Sequence, residues 1–247
     1  MRRCLGCMGE YNESYDICPY CGYEVNTPPK EAYHMVPGTL LAGRYTVGQV
    51  LGFGGFGVTY IGYDTVLNRK VAIKEYLPSE FSTRIPGQTE ITTYEGERTE
   101  QFQSGLGKFL EEAKILAKMQ ATNGVVQIYN SFQENQTAYI VMEYLEGKTL
   151  KAYLAEVEKL SVDEAKDILH PILIALKDVH EQGIIHRDIA PDNIFLTNDG
   201  RVKLLDFGAS RFATTSHSKS LSVIIKQGYA PIEQYRSRGD QGPWTDV

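Results

Sequence analysis

The chain has 247 residues, 42% hydrophobic and 23% charged, which suits one or two folded domains and excludes wholesale disorder. Its 25 basic and 31 acidic residues give a formal charge of −6, a poor match for a nucleic-acid coat or a polybasic membrane patch. No run approaches roughly 18 consecutive apolar residues, and the opening Met1–Cys7 stretch lacks the apolar core of a secretory signal. The sequence therefore predicts a cytoplasmic protein with no membrane segment in this stretch and no nucleic-acid partner.

The only cysteines, Cys4, Cys7, Cys18 and Cys21, form two Cys-x-x-Cys pairs. Without an export signal a disulfide framework is disfavoured, whereas two thiolate pairs can set four sulfurs around one Zn²⁺ ion. Residues 1–26 are read as a zinc ribbon in which Pro19 fixes a turn and Gly22 supplies a positive φ just after the last ligand. So short a segment folds only with its metal. Arg2 and Arg3 are outnumbered by Glu10, Glu13, Asp16 and Glu24, so the ribbon is expected to serve as a structural module, docking a partner or a second copy. Residues 27–43, with Pro28-Pro29 and Pro37-Gly38, read as a linker or a strap along the next domain.

From Arg44 the pattern turns to strands. Residues 44–51 and 58–63 are β-branched and aromatic and flank Gly52-Phe53-Gly54-Gly55-Phe56-Gly57, which predicts a hairpin. Because the chain continues as a strand after the glycines, this is not the strand-to-helix fingerprint of a dinucleotide fold. Glycines here let backbone N–H groups approach phosphates. Val71-Ala72-Ile73-Lys74 puts an ammonium in an apolar strand, where it needs an anion or a carboxylate. Phe109, Ala113 and Leu116 mark an amphipathic helix on which Glu111 or Glu112 could supply that carboxylate. Residues 124–132 and 137–142 read as two strands, and Ser161-x-x-Glu164 as a capping box opening a long helix that contains Pro171.

The densest cluster is His186-Arg187-Asp188-Ile189-Ala190-Pro191-Asp192-Asn193, followed by Asp206-Phe207-Gly208. Two short strands around the Asn198-Asp199-Gly200 turn can bring Asp188, Asn193 and Asp206 together, offering one proton acceptor and two oxygen ligands for Mg²⁺.

With these motifs in this order, residues 44–247 resemble the eukaryotic-like Ser/Thr protein kinases, and the ribbon with Lys74-Glu75-Tyr76-Leu77-Pro78 looks like a bacterial subgroup of them. The resemblance implies an α+β, two-lobed kinase fold. Its N-lobe and hinge, an antiparallel sheet plus one helix, would occupy residues 44–144. A mostly helical C-lobe over 145–247 would stop at its central helix, near Trp244–Val247, with more chain to follow. By resemblance, Leu51, Gly52, Gly54 and Gly57 cover ATP, while Val58, Ala72 and Phe195 sandwich its base. Lys74 contacts the phosphates and pairs with Glu112. Met142 stands as gatekeeper, with Glu143 and Leu145 as hinge contacts. Asp188 receives the substrate proton, and Asn193 and Asp206 hold Mg²⁺. Leu116, His186 and Phe207 join Glu112 in a stacked assembly that marks the active state. The implied reaction moves the ATP γ-phosphoryl group to Ser/Thr hydroxyls of proteins, with autophosphorylation within 214–222. The alternative is a nucleotide-binding pseudokinase that docks partners through its ribbon. Three features depart from the family pattern. Residues 79–104 are an insertion, expected as a loop or extra hairpin. The usual lysine two residues after the catalytic aspartate is Ala190, and Lys226 is expected to supply its ammonium. The closing Ala-Pro-Glu is interrupted as Ala230-Pro231-Ile232-Glu233.

Overall fold

Two short antiparallel strands, β1 (Arg2–Arg3) and β2 (Glu10–Tyr11), flank the first cysteine pair. The structure, a computed structural model, describes residues 1–55, 57–119, 122–207, 228–235 and 240–247, together with the backbone of 211–212. Two units are distinguished: Met1–Lys114 with Ile128–Tyr144, and Ile115–Gln127 with Leu145–Val247.

In the first unit, β3 (Leu40–Leu41), β4 (Tyr45–Gly54), β5 (Gly57–Asp64) and β6 (Arg69–Tyr76) follow in chain order. Next come a small hairpin, β7 (Ser82–Arg84) and β8 (Ile91–Thr93), the helix α1 (Glu97–Lys118), whose last four residues are counted with the second unit, and strands β9 (Ile128–Glu134) and β10 (Thr137–Glu143). The main sheet runs β3-β4-β5-β6-β10-β9 with antiparallel neighbours throughout. The insertion is thus an extra hairpin, after which α1 begins at Glu97. Phe102, Leu106, Phe109, Ala113 and Leu116 recur at helical spacing and all are buried. Tyr76 lies between Phe102 and Phe109, with ring centroids 5.1 and 5.4 Å away. Gly105 makes room for it, since a Cβ there would lie 2.0 Å from the Tyr76 hydroxyl oxygen. At the far end of β5, the buried Asp64 accepts bonds from Arg44 Nε and Nη2 at 2.8 and 2.7 Å. It also accepts the N–H groups of Val66 and Leu67, which closes the turn into β6.

The second unit holds β11 (Gly147–Thr149), α2 (Leu150–Val157), α3 (Val162–Glu181), β12 (Ile184–Ile185), β13 (Ile194–Thr197), β14 (Val202–Leu204) and β15 (Arg211–Phe212). Strands β11, β13 and β14 form one sheet, and β12 pairs with β15. The capping box is present: Ser161 Oγ accepts the Glu164 N–H at 3.2 Å, and the Glu164 carboxylate accepts the Ser161 N–H at 2.8 Å. α3 continues through Pro171 and buries Ile168, Ile172, Ala175, Leu176 and Val179.

Residues 124–127 are not the strand that their composition predicts. Gly124 packs against α3, where a Cβ would meet that of Ala175 at 2.5 Å. Its carbonyl accepts the Leu204 N–H at 2.7 Å, and Lys203 Nζ donates to the Val125 carbonyl at 3.0 Å. The backbone groups of this stretch are bonded to β14, so β9 starts only at Ile128. No helix among the described residues is long and apolar enough to cross a membrane.

Candidate active site and metal centre

The predicted site residues divide between the two units. In the first, Gly52 pairs with Thr59, and Gly54 with Gly57, so β4 and β5 form the expected glycine-rich hairpin. A Cβ on Gly57 would lie 1.9 Å from the Glu75 carbonyl oxygen, so only glycine fits there. At Gly52 and Gly54 a Cβ would meet nothing within 4 Å, leaving that backbone open to an incoming anion. Leu51 precedes them and is exposed. Lys74 stands opposite Thr59 on one side and Ile140 on the other. Strand alternation therefore gives Lys74, Ala72, Thr59 and Met142 a common face. The Lys74 ammonium lies 6.0 Å from the Phe109 ring centroid, on the side of α1 that carries Glu112 three residues later. Glu143 closes β10.

This register corrects one expectation. Val58 stands opposite Glu75, so it lies, buried, on the sheet face turned away from Lys74 and Ala72. Thr59, opposite Lys74, and Ile61, opposite Ala72, are the residues of β5 that share their face, and counting strand alternation from Lys74 would have found them.

In the second unit the β13–β14 hairpin gathers the acidic cluster. Asn193 Nδ2 donates to both the backbone oxygen and Oδ2 of Asp188, each at 2.8 Å. The N–H of Leu205, adjacent to Asp206, donates to the Asn193 carbonyl at 2.8 Å. Asn193 spends its amide nitrogen on Asp188, and the backbone bond to Leu205 brings its loop next to the stretch that carries Asp206. Arg187 and Asp206 take positive φ values of 70° and 55°, strained conformations held by their surroundings. Part of that hold is Asp246, whose carboxylate accepts the N–H groups of His186 and Arg187 at 2.7 and 2.6 Å and approaches His180 Nε2 at 2.8 Å.

His186 is fully buried, packs edge-on against Phe207 at 4.4 Å and is bonded to the Leu205 carbonyl through Nε2 at 2.9 Å. Burial holds its pKa below the ordinary imidazole value, so the ring is neutral and Nε2 carries the proton. Phe195 lies on β13 opposite Lys203, and Leu145 follows β10. The Ala190 side chain is buried. Glu233 accepts from Thr245 Oγ1 at 3.0 Å. Lys226, Gly208 and positions 214–222 lie outside the described residues.

The four cysteines converge. Their sulfurs all lie within 4.8 Å of one another, with Cys4–Cys21 at 3.5 Å and Cys7–Cys18 at 3.9 Å. These separations are too long for disulfides and bracket the S···S distance of about 3.8 Å expected for four thiolates around Zn²⁺. Gly6 N–H points at Cys4 Sγ at 3.2 Å, as befits a thiolate ligand. Gly22 has the expected positive φ of 73°, and Met8, in the equivalent place after Cys7, matches it at 60°.

A buried network on the Val58 face was not foreseen. Arg84, from the inserted hairpin, makes a bidentate ion pair with Glu75, and both side chains are 0% exposed. Tyr60 donates to Glu75 at 2.9 Å, and Arg84 also donates to the carbonyls of Tyr33 and Thr89 at 3.0 Å each. The signal was a second charge, Glu75, placed in an apolar strand beside the lysine.

Comparison with known proteins agrees with this geometry. Residues 45–247 match the family model described as the protein kinase domain. A "Probable serine/threonine-protein kinase" of Clostridium acetobutylicum is 36% identical over 188 residues, covering 76% of this chain and 26% of the relative. Serine/threonine-protein kinase PrkC of Bacillus subtilis is 33% identical over 203 residues, covering 82% and 28%. PknA of Nostoc sp. is 37% identical over 209 residues, covering 81% and 34%. The chain thus spans between a quarter and about a third of the length of these curated relatives. The solved structure "PpkA-294 apo form" superposes with a TM-score of 0.75 at 34% identity, over 87% of this chain and 74% of that one.

Proposed function

The chain belongs to the protein kinase family, and on that premise we propose that the protein of which it is part transfers the γ-phosphoryl group of ATP to serine and threonine hydroxyls of proteins. The observation that supports this reading is the pair of hydrogen bonds from Asn193 Nδ2 to the backbone oxygen and Oδ2 of Asp188, which orient the aspartate's carboxylate. Phosphoryl transfer asks of a protein mainly positioning and charge stabilisation. Asp188 orients the acceptor hydroxyl and takes its proton. Asn193 Oδ1 and Asp206 would hold Mg²⁺, which when bound neutralises charge on the phosphates. Lys74 and the open backbone at Gly52 and Gly54 would hold those phosphates.

Phosphate incorporation by the full-length protein tests the reading. Asp188→Asn should lower it by about 10²–10⁴-fold, as the loss of a general base does. Equal incorporation by both proteins would replace the enzyme with a nucleotide-binding scaffold. We also propose that the four cysteines hold one structural Zn²⁺, which would cross-link the two knuckles and close the ribbon. Purified protein should release one zinc per chain on thiol modification, and Cys4→Ser should release less.

A further inference from the structure

The ribbon and the strap that follows it do not hang from the kinase unit as a separate module. We propose that this N-terminal segment is a positioning clamp for the nucleotide-binding hairpin, set by the metal that closes the ribbon. The inference rests on the zinc reading above and adds to it a role in the phosphoryl-transfer site.

The clamp holds β4 at two places, one on each side of Leu51 and Gly52. The first is the knuckle Cys4–Cys7 with Met8. The Gln49 N–H donates to the Leu5 carbonyl, and Gln49 Nε2 to the Gly6 carbonyl, both at 2.8 Å. Between Val47 and Val50 the β4–β5 ladder shifts register, and Gln49 spends its N–H on the ribbon instead of on β5. Gly48 is what permits this approach. A Cβ there would lie 2.3 Å from the Leu5 carbonyl oxygen and 2.3 Å from the Met8 terminal methyl. Met8 itself is 1% exposed, and it bears a left-handed backbone that glycine would adopt without strain. A side chain kept at such a position is there for what it covers, and it covers Gly48. Arg3 adds a stacked contact on β5, its guanidinium carbon 3.4 Å from the centre of the Tyr63 ring.

The second hold is the strap. His34 is buried and meets Phe53, inside the glycine-rich turn, edge-on at 5.1 Å, while the Lys30 ammonium lies 5.4 Å from the same ring. The Met35 N–H donates to Tyr60 Oη at 3.1 Å, so the strap is pinned to β5 as well. Gly52 lies between the two holds and Gly54 directly follows the second, so the clamp sets the backbone that would meet phosphate in the proposed reaction. Metal held by Cys4 and Cys7 would fix the Leu5 and Gly6 carbonyls that receive Gln49, and so fix where the hairpin starts.

The test uses the full-length protein and three measurements: zinc per chain, ATP affinity by fluorescence titration, and hydrogen exchange over residues 45–54. Gly48→Ala should wedge the knuckle off β4, keep one zinc per chain and weaken ATP binding by about ten-fold, the loss expected when a pre-organised site becomes one conformer among several. Met8→Gly, which relieves backbone strain but uncovers Gly48, should weaken ATP in the same direction. Both should raise the KM for ATP while leaving kcat at saturating ATP unchanged, a split that general destabilisation would not give. Removing zinc from the wild type with a chelator should speed exchange over 45–54 and weaken ATP to a similar extent. A protein that holds no zinc overturns the metal reading and this inference together. One zinc per chain, with ATP affinity unchanged in all three arms, overturns the clamp alone.

Discussion

Arg84 offers the sharpest test of how the first unit is held together. Arg84→Met keeps much of the side-chain volume and removes every donor. Two charge-assisted bonds to Glu75 are lost, together with those to the Tyr33 and Thr89 carbonyls. Each charged bond contributes about 1.5–3 kcal/mol, and Glu75 would be left as a buried carboxylate with tyrosine hydroxyls as its partners. Breaking one side of a buried pair costs about 3–5 kcal/mol in other proteins, and the same range is expected here. For a chain of this size that lowers the melting temperature of the first unit by about 6–20 °C. Calorimetry at fixed protein and nucleotide concentration reads it. The double variant Glu75→Met with Arg84→Met should recover most of the loss, because apolar replacements of a buried pair are often neutral or better. A loss below about 1 kcal/mol for Arg84→Met, the range of an exposed ion pair, would refute the burial argument. So would a double variant whose loss equals the sum of the two single ones.

Three further outcomes follow from the geometry. Gly105→Ala should destabilise the protein although alanine ordinarily favours a helix by about 1 kcal/mol, because Tyr76 Oη occupies the Cβ position; adding Tyr76→Phe should restore part of the loss in a melting assay. Val58→Ala should lower stability by about 1–3 kcal/mol with the KM for ATP unchanged, whereas Thr59→Ile, on the Lys74 face, should raise that KM; the opposite pattern in steady-state kinetics would reverse the register assignment. The Arg44 guanidinium holds the Asp64 carboxyl below its usual range, so its contribution is complete above the unfolded value of about 3.9 and is lost as pH falls through the lower folded value; Asp64→Asn should flatten the denaturation profile across that window.

The strands and helices were legible because their signals are local. VTYIGY and VAIK carry their own β preference, and Phe109, Ala113 and Leu116 their own helical face. The Asp188–Asn193 contact was legible because the two residues are close in the chain, just ahead of the β13–β14 hairpin. What escaped was set by partners distant in the chain. Residues 124–127 have strand-like composition, but their backbone bonds go to β14. Gln49 looks like any solvent-side strand residue until the ribbon, 43 residues earlier, is seen to accept its bonds. Arg84 reads as one of many charges in an inserted stretch, and only the fold shows it buried against Glu75. Val58 was placed by resemblance, when alternation from Lys74 was the physical ruler.

The grip of Asp246 on the loop bearing Asp188 spans a long stretch of synthesis. His186 donates its N–H to a carboxylate 60 residues downstream, and Arg187 relies on the same group. At about 5–20 residues per second, a ribosome takes roughly 3–12 s to supply that stretch. For that interval the loop bearing Asp188 has been synthesised but lacks the acceptor that shapes it. Every residue of the glycine-rich hairpin, Lys74 and α1 has by then already been made. A nascent chain can therefore form the elements proposed to hold a nucleotide before it owns the loop proposed to use one, which on that reading delays chemistry until the second unit has been built past Asp246.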